Sequence, residues 1–342
     1  MKKTLFIIFF LLPLCVAALL AFDAHQFLNS PLVASQPSEP EQQHAQQFEL
    51  EVKPGTTIRS LARTLNADNK LKRPLWWEAY ARYTGEARSI KTGEYSLSTS
   101  LTPIALLSTL QNSQQKQYSL TLLEGWNIWQ VRDALAKHEV LEQTIETVTD
   151  ENLMEFIGAE AGHPEGQFLP DTYLFPKGTT DAEFLLRAHK QLRSTLEDAW
   201  QGRDEGLPIT TPYEVLVQAS IIEKETSIDS EREIISGVIT GRLRKKMRLQ
   251  MDPTVIYGIG KNFNGNITRK DLQTKTPYNT YKIPALPPTP IAMPSAASIL
   301  AAVHPADTKA LFFVADGTGG HVFNETVEEH NKAVRKYILK RK

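Results

Sequence analysis

An α+β fold behind an N-terminal transmembrane helix is what this sequence predicts, and three observations carry the expectation. An uncharged apolar run from Thr4 to Phe22 follows two lysines. A strand–helix–helix–strand pattern fills 48–117. From Tyr118 onward, segments of period 2 and period 3.6 alternate around a proline-rich stretch, which is the pattern of a larger mixed α+β domain. A chain of 342 residues is long enough for two or three cores. Its formal net charge of −1 leaves no basic field of the kind a nucleic-acid binder carries, so no nucleic-acid partner is expected. The local "GRLRKKMRLQ" patch reads as a solvated helix end.

Lys2 and Lys3 close a cytoplasmic tip (1–3) ahead of the apolar run (4–22). As a helix rising 1.5 Å per residue, that run spans roughly 28 Å, close to the hydrocarbon thickness of a bilayer. A cleaved signal peptide would have a shorter apolar core and small residues before the cleavage point, and Leu19 stands where one is wanted before Ala21. A retained single-pass anchor is therefore the preferred reading. The positive-inside rule then puts everything after Asp23 outside the cytoplasm. The single cysteine, Cys15, lies within the run, and the exported body has none, which suits an oxidising compartment. Residues 23–47, rich in Pro, Ser and Gln, read as a flexible tether.

Within 48–117, "FELEV" alternates as a strand and "KPG" turns the chain. Ile58, Leu61, Ala62 and Leu65 then share one helical face. Pro74 opens a second helix that closes near Gly85, and "KTGEYSLSTSLTPIALLSTLQ" supplies a strand and a third helix. On "VKPGTTIRSLARTL" the segment resembles a LysM-like module, a small fold associated with polymers of N-acetylglucosamine. A purely structural spacer is the alternative.

The larger domain (118–342) opens with a strand and helix in "YSLTLLEGWNIWQVRDALAKH". "GQFLPDTYLFPKGTT" reads as a loop, "DAEFLLRAHKQLRSTLEDAWQGR" as a long helix, and "VLVQASIIEKETSIDSEREIISGVITGRL" as a largely buried one. Five prolines between Asn279 and Pro294 forbid helix or central strand, so this stretch should be an ordered loop wrapping something. "LFFVADGTGGHVFN" reads as a hairpin turned at its glycines.

Several chemistries lack their residues. His304, His321 and His330 share no metal-ligand spacing, "GTGGH" lacks the Lys-Ser/Thr of a phosphate loop, and no G-x-S-x-G occurs. No metal or cofactor is expected, and carboxylates remain. On a helical wheel started at Val215, the apolar surface runs most of the way round, with Ser220 and Lys224 on the polar side. Glu223 and Glu225 fall on opposite flanks, Glu223 near Leu216 and Ala219, Glu225 near Gln218 and Ile221. A carboxyl walled by isoleucine is desolvated, and its raised pKa keeps the proton a general acid needs. A salt bridge to Lys224, Arg232 or Arg242 is the competing reading. Periodicity does not choose between the two glutamates.

The ordered motifs "LLEG", "FLPDTY", "ASIIEKET", "GRLRKKMRLQMDPTVIYG", "TPYNTY", "LPPTPI", "HP" and "GGHVFNETVEEHN" resemble the YceG-like family of endolytic murein transglycosylases. The resemblance implies an inner-membrane enzyme that cuts nascent peptidoglycan glycan strands outside the cytoplasm. It makes the second glutamate of E-K-E, Glu225, the catalytic acid. It also suggests substrate contacts from Gln218, Asp252, Thr254, Tyr278, Asn279, Tyr281, His321, Phe323 and Asn324, each with a structural alternative. The loop departs from the family pattern at Ala285, Thr289 and Ser295, where relatives carry glycine. In this reading Glu225 protonates the bridging oxygen of a MurNAc–GlcNAc bond, and the MurNAc C6 hydroxyl attacks C1, leaving a 1,6-anhydro end and terminating the strand. Two alternatives stand beside it. One is a water-using muramidase with Asp252 or Glu223 as second carboxylate. The other is a membrane-tethered, non-enzymatic scaffold for peptidoglycan synthases.

Overall fold

The computed structural model describes residues 2–33, 47–112 and 115–339, with side chains from Cys15 onward. The first helix, α1 (Lys2–Leu28), contains the whole apolar run. Among the described residues no helix is long and apolar enough to cross a membrane, and the side chains of residues 2–14 lie outside that description. The expected tether is helical as far as Leu28. Leu32 is then buried, its N–H donating to the Leu101 carbonyl at 2.8 Å, because an apolar side chain here has a core to enter. The rest of the tether, 34–46, lies outside the described residues.

The chain divides into two compact units, the first comprising 1–118 with 174–178 and the second 119–173 with 179–342. In the first, β1 (Gln47–Val52), α2 (Ile58–Ala67), α3 (Pro74–Tyr83) and β2 (Gly93–Ser98) follow the expected β-α-α-β order, and α4 (Pro103–Gln111) completes the unit. β1 and β2 pair antiparallel with Leu50 opposite Tyr95 and Phe48 opposite Leu97. This register sends Leu50, Val52, Tyr95 and Leu97 into one core with Leu61, Leu65 and Trp77. Thr57 caps α2 by accepting the Ser60 N–H, and the Trp77 indole donates to the Pro103 carbonyl at 2.8 Å.

A second two-stranded ribbon joins β3 (Gln117–Thr121) to β4 (Thr172–Pro176). β4 corrects the expectation of a loop over 166–180. Tyr173 and Phe175 alternate inward while Thr172 and Leu174 face out, so the segment has strand period despite its flanking prolines.

The remaining elements belong to the second unit: α5 (Ile128–Ala136), α6 (Asp150–Phe156), α7 (Asp181–Gln201), α8 (Pro212–Glu225), α9 (Asp229–Arg244), α10 (Asp252–Ile259), α11 (Arg269–Gln273), α12 (Ala296–Val303), β5 (Phe312–Ala315), β6 (His321–Asn324) and α13 (Val327–Tyr337). β5 and β6 form the expected antiparallel hairpin, Phe313 opposite Phe323. α8 runs through the middle, against α7, α9, α10 and α12. Every residue from Val215 to Ile222 is buried. Each Val, Leu or Ile so covered contributes about 1.5–3 kcal/mol, which is why this helix organises the unit.

The proline-rich stretch is an ordered connection between α11 and α12. Ile291 N–H donates to Ser220 Oγ at 3.0 Å, and Gly125 N–H donates to the Met293 carbonyl at 2.9 Å. Ser220 thus corrects its expected polar-side placement. It is fully buried and satisfies the loop backbone. At Gly166, with φ +73°, a Cβ would lie 2.4 Å from Pro290 Cβ, so only glycine lets the two loops approach.

Candidate active site

The site is built on the two ends of α8. Thr211 caps the start by accepting the Glu214 N–H, Glu214 reaches back to the Thr211 N–H, and Pro212 holds the first turn. The other end is fixed at Thr226, whose backbone is extended at φ −146°, ψ 144°. Thr226 Oγ1 accepts the Ile228 N–H at 3.0 Å and donates to Glu231 Oε2 at 2.9 Å. The long buried segment expected over 215–243 is therefore two helices, and Glu225 is the last residue of the first.

Two residues apart, Glu223 and Glu225 have unrelated surroundings. Glu223 Oε2 accepts from Ser295 N–H (2.9 Å), Ser295 Oγ (2.5 Å), Ser298 Oγ (2.7 Å) and Arg232 Nη1 (3.2 Å). Both side chains of that ion pair are nearly inaccessible, 5% for Glu223 and 6% for Arg232, so Glu223 locks α9 and the start of α12 onto α8. Ser295, where a glycine was expected from relatives, caps α12 as well.

Glu225 keeps part of its chain near the surface, but its Oε1 is sealed and has no hydrogen-bond partner among the described residues. Burial pushes its carboxyl up to about 8, the nearby Asp252 charge adds to the rise, and Arg242 opposes it. The carbonyl end of α8 disfavours the charged form in the same direction. At neutral pH this carboxyl holds its proton.

Around it, Tyr281 donates its hydroxyl to Asp252 Oδ1 at 2.6 Å. Burial, then Asp252, then Glu225 push the Tyr281 phenol up, so it stays protonated. Arg242 is held to backbone carbonyls, with Nε on Leu311 at 2.6 Å and Nη1 on Leu249. Burial lowers its pKa. Glu225, Asp252 and Tyr281 are thus brought together, and Arg242, one of the cations weighed as an ion-pair partner, acts on Glu225 by its charge.

Other expected substrate contacts have structural work instead. Gln218 is fully buried, its Nε2 donating to Ser236 Oγ at 3.0 Å. Thr254 is fully buried and donates to the Met251 carbonyl at 2.7 Å. Asn279, also fully buried, donates to the carbonyls of Asp271, Leu272 and Thr274 while accepting the Tyr281 N–H at 2.9 Å. All three are fully buried, and Gln218 Oε1 has no hydrogen-bond partner among the described residues. Tyr278 shares a hydrogen bond with Thr289 Oγ1 at 3.0 Å and packs edge-on against Tyr257. On β6, His321 meets Glu231, Phe323 lies 5.9 Å from Phe313 between ring centroids, and Asn324 donates to the Val322 carbonyl.

Glu165 escaped sequence reasoning. It is fully buried in a turn, and its two oxygens accept the Ile128 N–H at 3.1 Å each, with Tyr257 donating to Oε2 at 3.1 Å. Burial pushes it up to about 7. Pro284, Leu286 and Pro288 wall a groove of ≈ 540 Å³ with Tyr213, Val217 and Leu243, and Glu225 does not line it. Among the described residues no group of three or more His, Cys, Asp or Glu could hold a metal ion.

Comparison with known proteins agrees with this architecture. The YceG-like family matches residues 50–336. An endolytic murein transglycosylase of Bacillus subtilis (strain 168) is 31% identical over 301 residues, covering 83% of each chain. One of Streptococcus pneumoniae (strain ATCC BAA-255 / R6) is 25% identical over 83% of this chain, which spans only 57% of that longer protein. The crystal structure of a YceG-like protein from Listeria monocytogenes superposes with a TM-score of 0.53 at 28% identity, covering 84% of this chain and 99% of that one. The chain belongs to the YceG-like family.

Proposed function

We propose that this protein is an endolytic peptidoglycan lytic transglycosylase with Glu225 as its single general acid and base. The observation that carries the reading is the Glu225 carboxyl, protonated at neutral pH, with Oε1 unpartnered among the described residues at the end of α8. The activity named for the B. subtilis relative supports it. Glu225 gives its proton to the bridging oxygen of a MurNAc–GlcNAc linkage as the C1–O bond breaks. The MurNAc C6 oxygen then attacks C1, and its proton returns to the Glu225 carboxylate. No water is consumed, and the product ends in 1,6-anhydro-MurNAc. Delivering the nucleophile from the same sugar gains the effective concentration of an intramolecular reaction. Such cuts terminate nascent strands. In this reading α1 anchors the enzyme in the cell inner membrane, the LysM-like first unit faces the wall outside the cytoplasm, and peptidoglycan synthases work nearby.

Asp252 favours a second reading. Its charge acts on Glu225, so it could serve as the second carboxylate of a water-using muramidase. Mass spectrometry of fragments released by the full-length protein separates the two, since anhydro ends are one water lighter than reducing ends. The expected result is anhydro fragments from the wild type and none from Glu225→Gln. Continued release by a folded Glu225→Gln protein overturns the assignment, and loss only in Glu223→Gln moves it to Glu223.

A further inference from the structure

We propose that Glu231 is a positioning residue for the Glu225 site. It holds His321 with Nδ1 protonated, so that Nε2 accepts a hydrogen bond from a glycan hydroxyl or acetamido N–H, and it locks the chain where α8 ends. This rests on the transglycosylase reading.

Glu231 lies in the first turn of α9 and is nearly buried. Its Oε1 accepts the His321 backbone N–H at 2.7 Å. Its Oε2 lies 2.8 Å from His321 Nδ1 and accepts from Thr226 Oγ1 at 2.9 Å. Burial alone would raise this carboxyl, but the His321 side chain, the His321 backbone and Thr226 together outweigh it and bring it below the usual range. Glu231 is therefore ionised at neutral pH and has no proton to give, so Nδ1 must be the donor. In the neutral ring that leaves Nε2 with a free lone pair. The ring's hydrogen bond to Glu231 is made at Nδ1, and the His321 side chain is 14% exposed, which leaves the ring edge for a ligand.

The same carboxylate secures the acid's neighbour. Thr226 follows Glu225 directly, and its hydroxyl donates to Glu231 while its oxygen accepts the Ile228 N–H. One side chain thus ties His321 of β6, 90 positions away in sequence, to the residue that terminates α8. Room for it comes from Gly320, where a Cβ would stand 2.9 Å from Glu231 Oε1. The ring is steadied by Phe313, edge-on at 5.2 Å between centroids.

The test combines a spectrum with two substitutions in the full-length protein. ¹⁵N-histidine NMR should show the Nδ1–H form of His321 in the wild type, replaced by Nε2–H or a mixture in Glu231→Gln. Activity on glycan strands should fall about tenfold or more in Glu231→Gln, the loss expected for one misplaced charge-assisted hydrogen bond. His321→Asn keeps a donor for Glu231 but has no Nε2, and it should lose activity similarly. An Nε2–H form in the wild type, or full activity in His321→Asn, overturns the proposal. Should Glu231→Gln fail to fold, the wild-type spectrum and His321→Asn decide. Absence of glycan cleavage by the wild type would sink the transglycosylase reading, while the spectrum would still decide whether Glu231 holds the ring.

Discussion

Glu165 and Glu225 lie in the same unit, both desolvated and both raised, the first to about 7 and the second to about 8. They sit at opposite kinds of helix end. Glu165 faces the N–H end of α5, where the Ile128 amide and the Tyr257 hydroxyl fill its oxygens. Glu225 is at the carbonyl end of α8, where the helix offers no donors and Oε1 stays unpartnered among the described residues. Burial therefore does not by itself mark a reactive acid. What separates the two is the hydrogen-bonding capacity each has left for an incoming group.

The sharpest way to break this contrast is to substitute both. Glu225→Gln should lower glycan cleavage by about 10²–10⁴-fold, the usual share of a general acid. Glu165→Gln, measured per folded molecule, should stay within about threefold of wild type. Equal losses would erase the distinction. Glu223 extends the comparison to a carboxylate with four donors. Glu223→Ala removes the buried partner of Arg232 and leaves it only the exposed Asp229 carboxylate at 3.2 Å, and urea unfolding should show a loss of up to about 3–5 kcal/mol.

Stability against pH follows next. A carboxyl whose folded pKa lies above its unfolded value stabilises the fold fully below the unfolded pKa, and that contribution is lost as pH rises through the folded value. For Glu225 this window runs from 4.5 to about 8. Unfolding free energy should fall by on the order of 3 kcal/mol between pH 6 and pH 9, with Glu225→Gln removing much of the fall. Activity should decline above pH 8 as the acid loses its proton. The smallest effect is expected at Tyr281→Phe, which removes the hydrogen bond to Asp252 and should cost about 0.5–1.5 kcal/mol in thermal unfolding.

Much of this was legible in the chain itself. The apolar surface around "VLVQASII" gave the burial of α8, and its helical spacing separated the flanks of Glu223 and Glu225. Thr226 as a helix end was hidden, because its cause is Glu231, which reads as an ordinary surface charge on the next helix. Glu165 was hidden for a related reason. It is buried with Tyr257, some ninety residues away in sequence, donating to it, and no local periodicity records that contact. Thr254 and Asn279 are suggested as ligand contacts by the family resemblance, and in the structure they donate to backbone carbonyls inside the core, which no local pattern records.

The fixed ends of α8 have a consequence for how this sequence can vary. Thr211 pins one end, Thr226 the other, and Ser220 is tied midway to Ile291. Adding or deleting one residue between them would swing the terminal carboxyl about 100° around the axis, toward the side where the serines wait. Length changes should accordingly be confined to surface connections such as 261–268, leaving the fourteen-residue count of this helix unchanged.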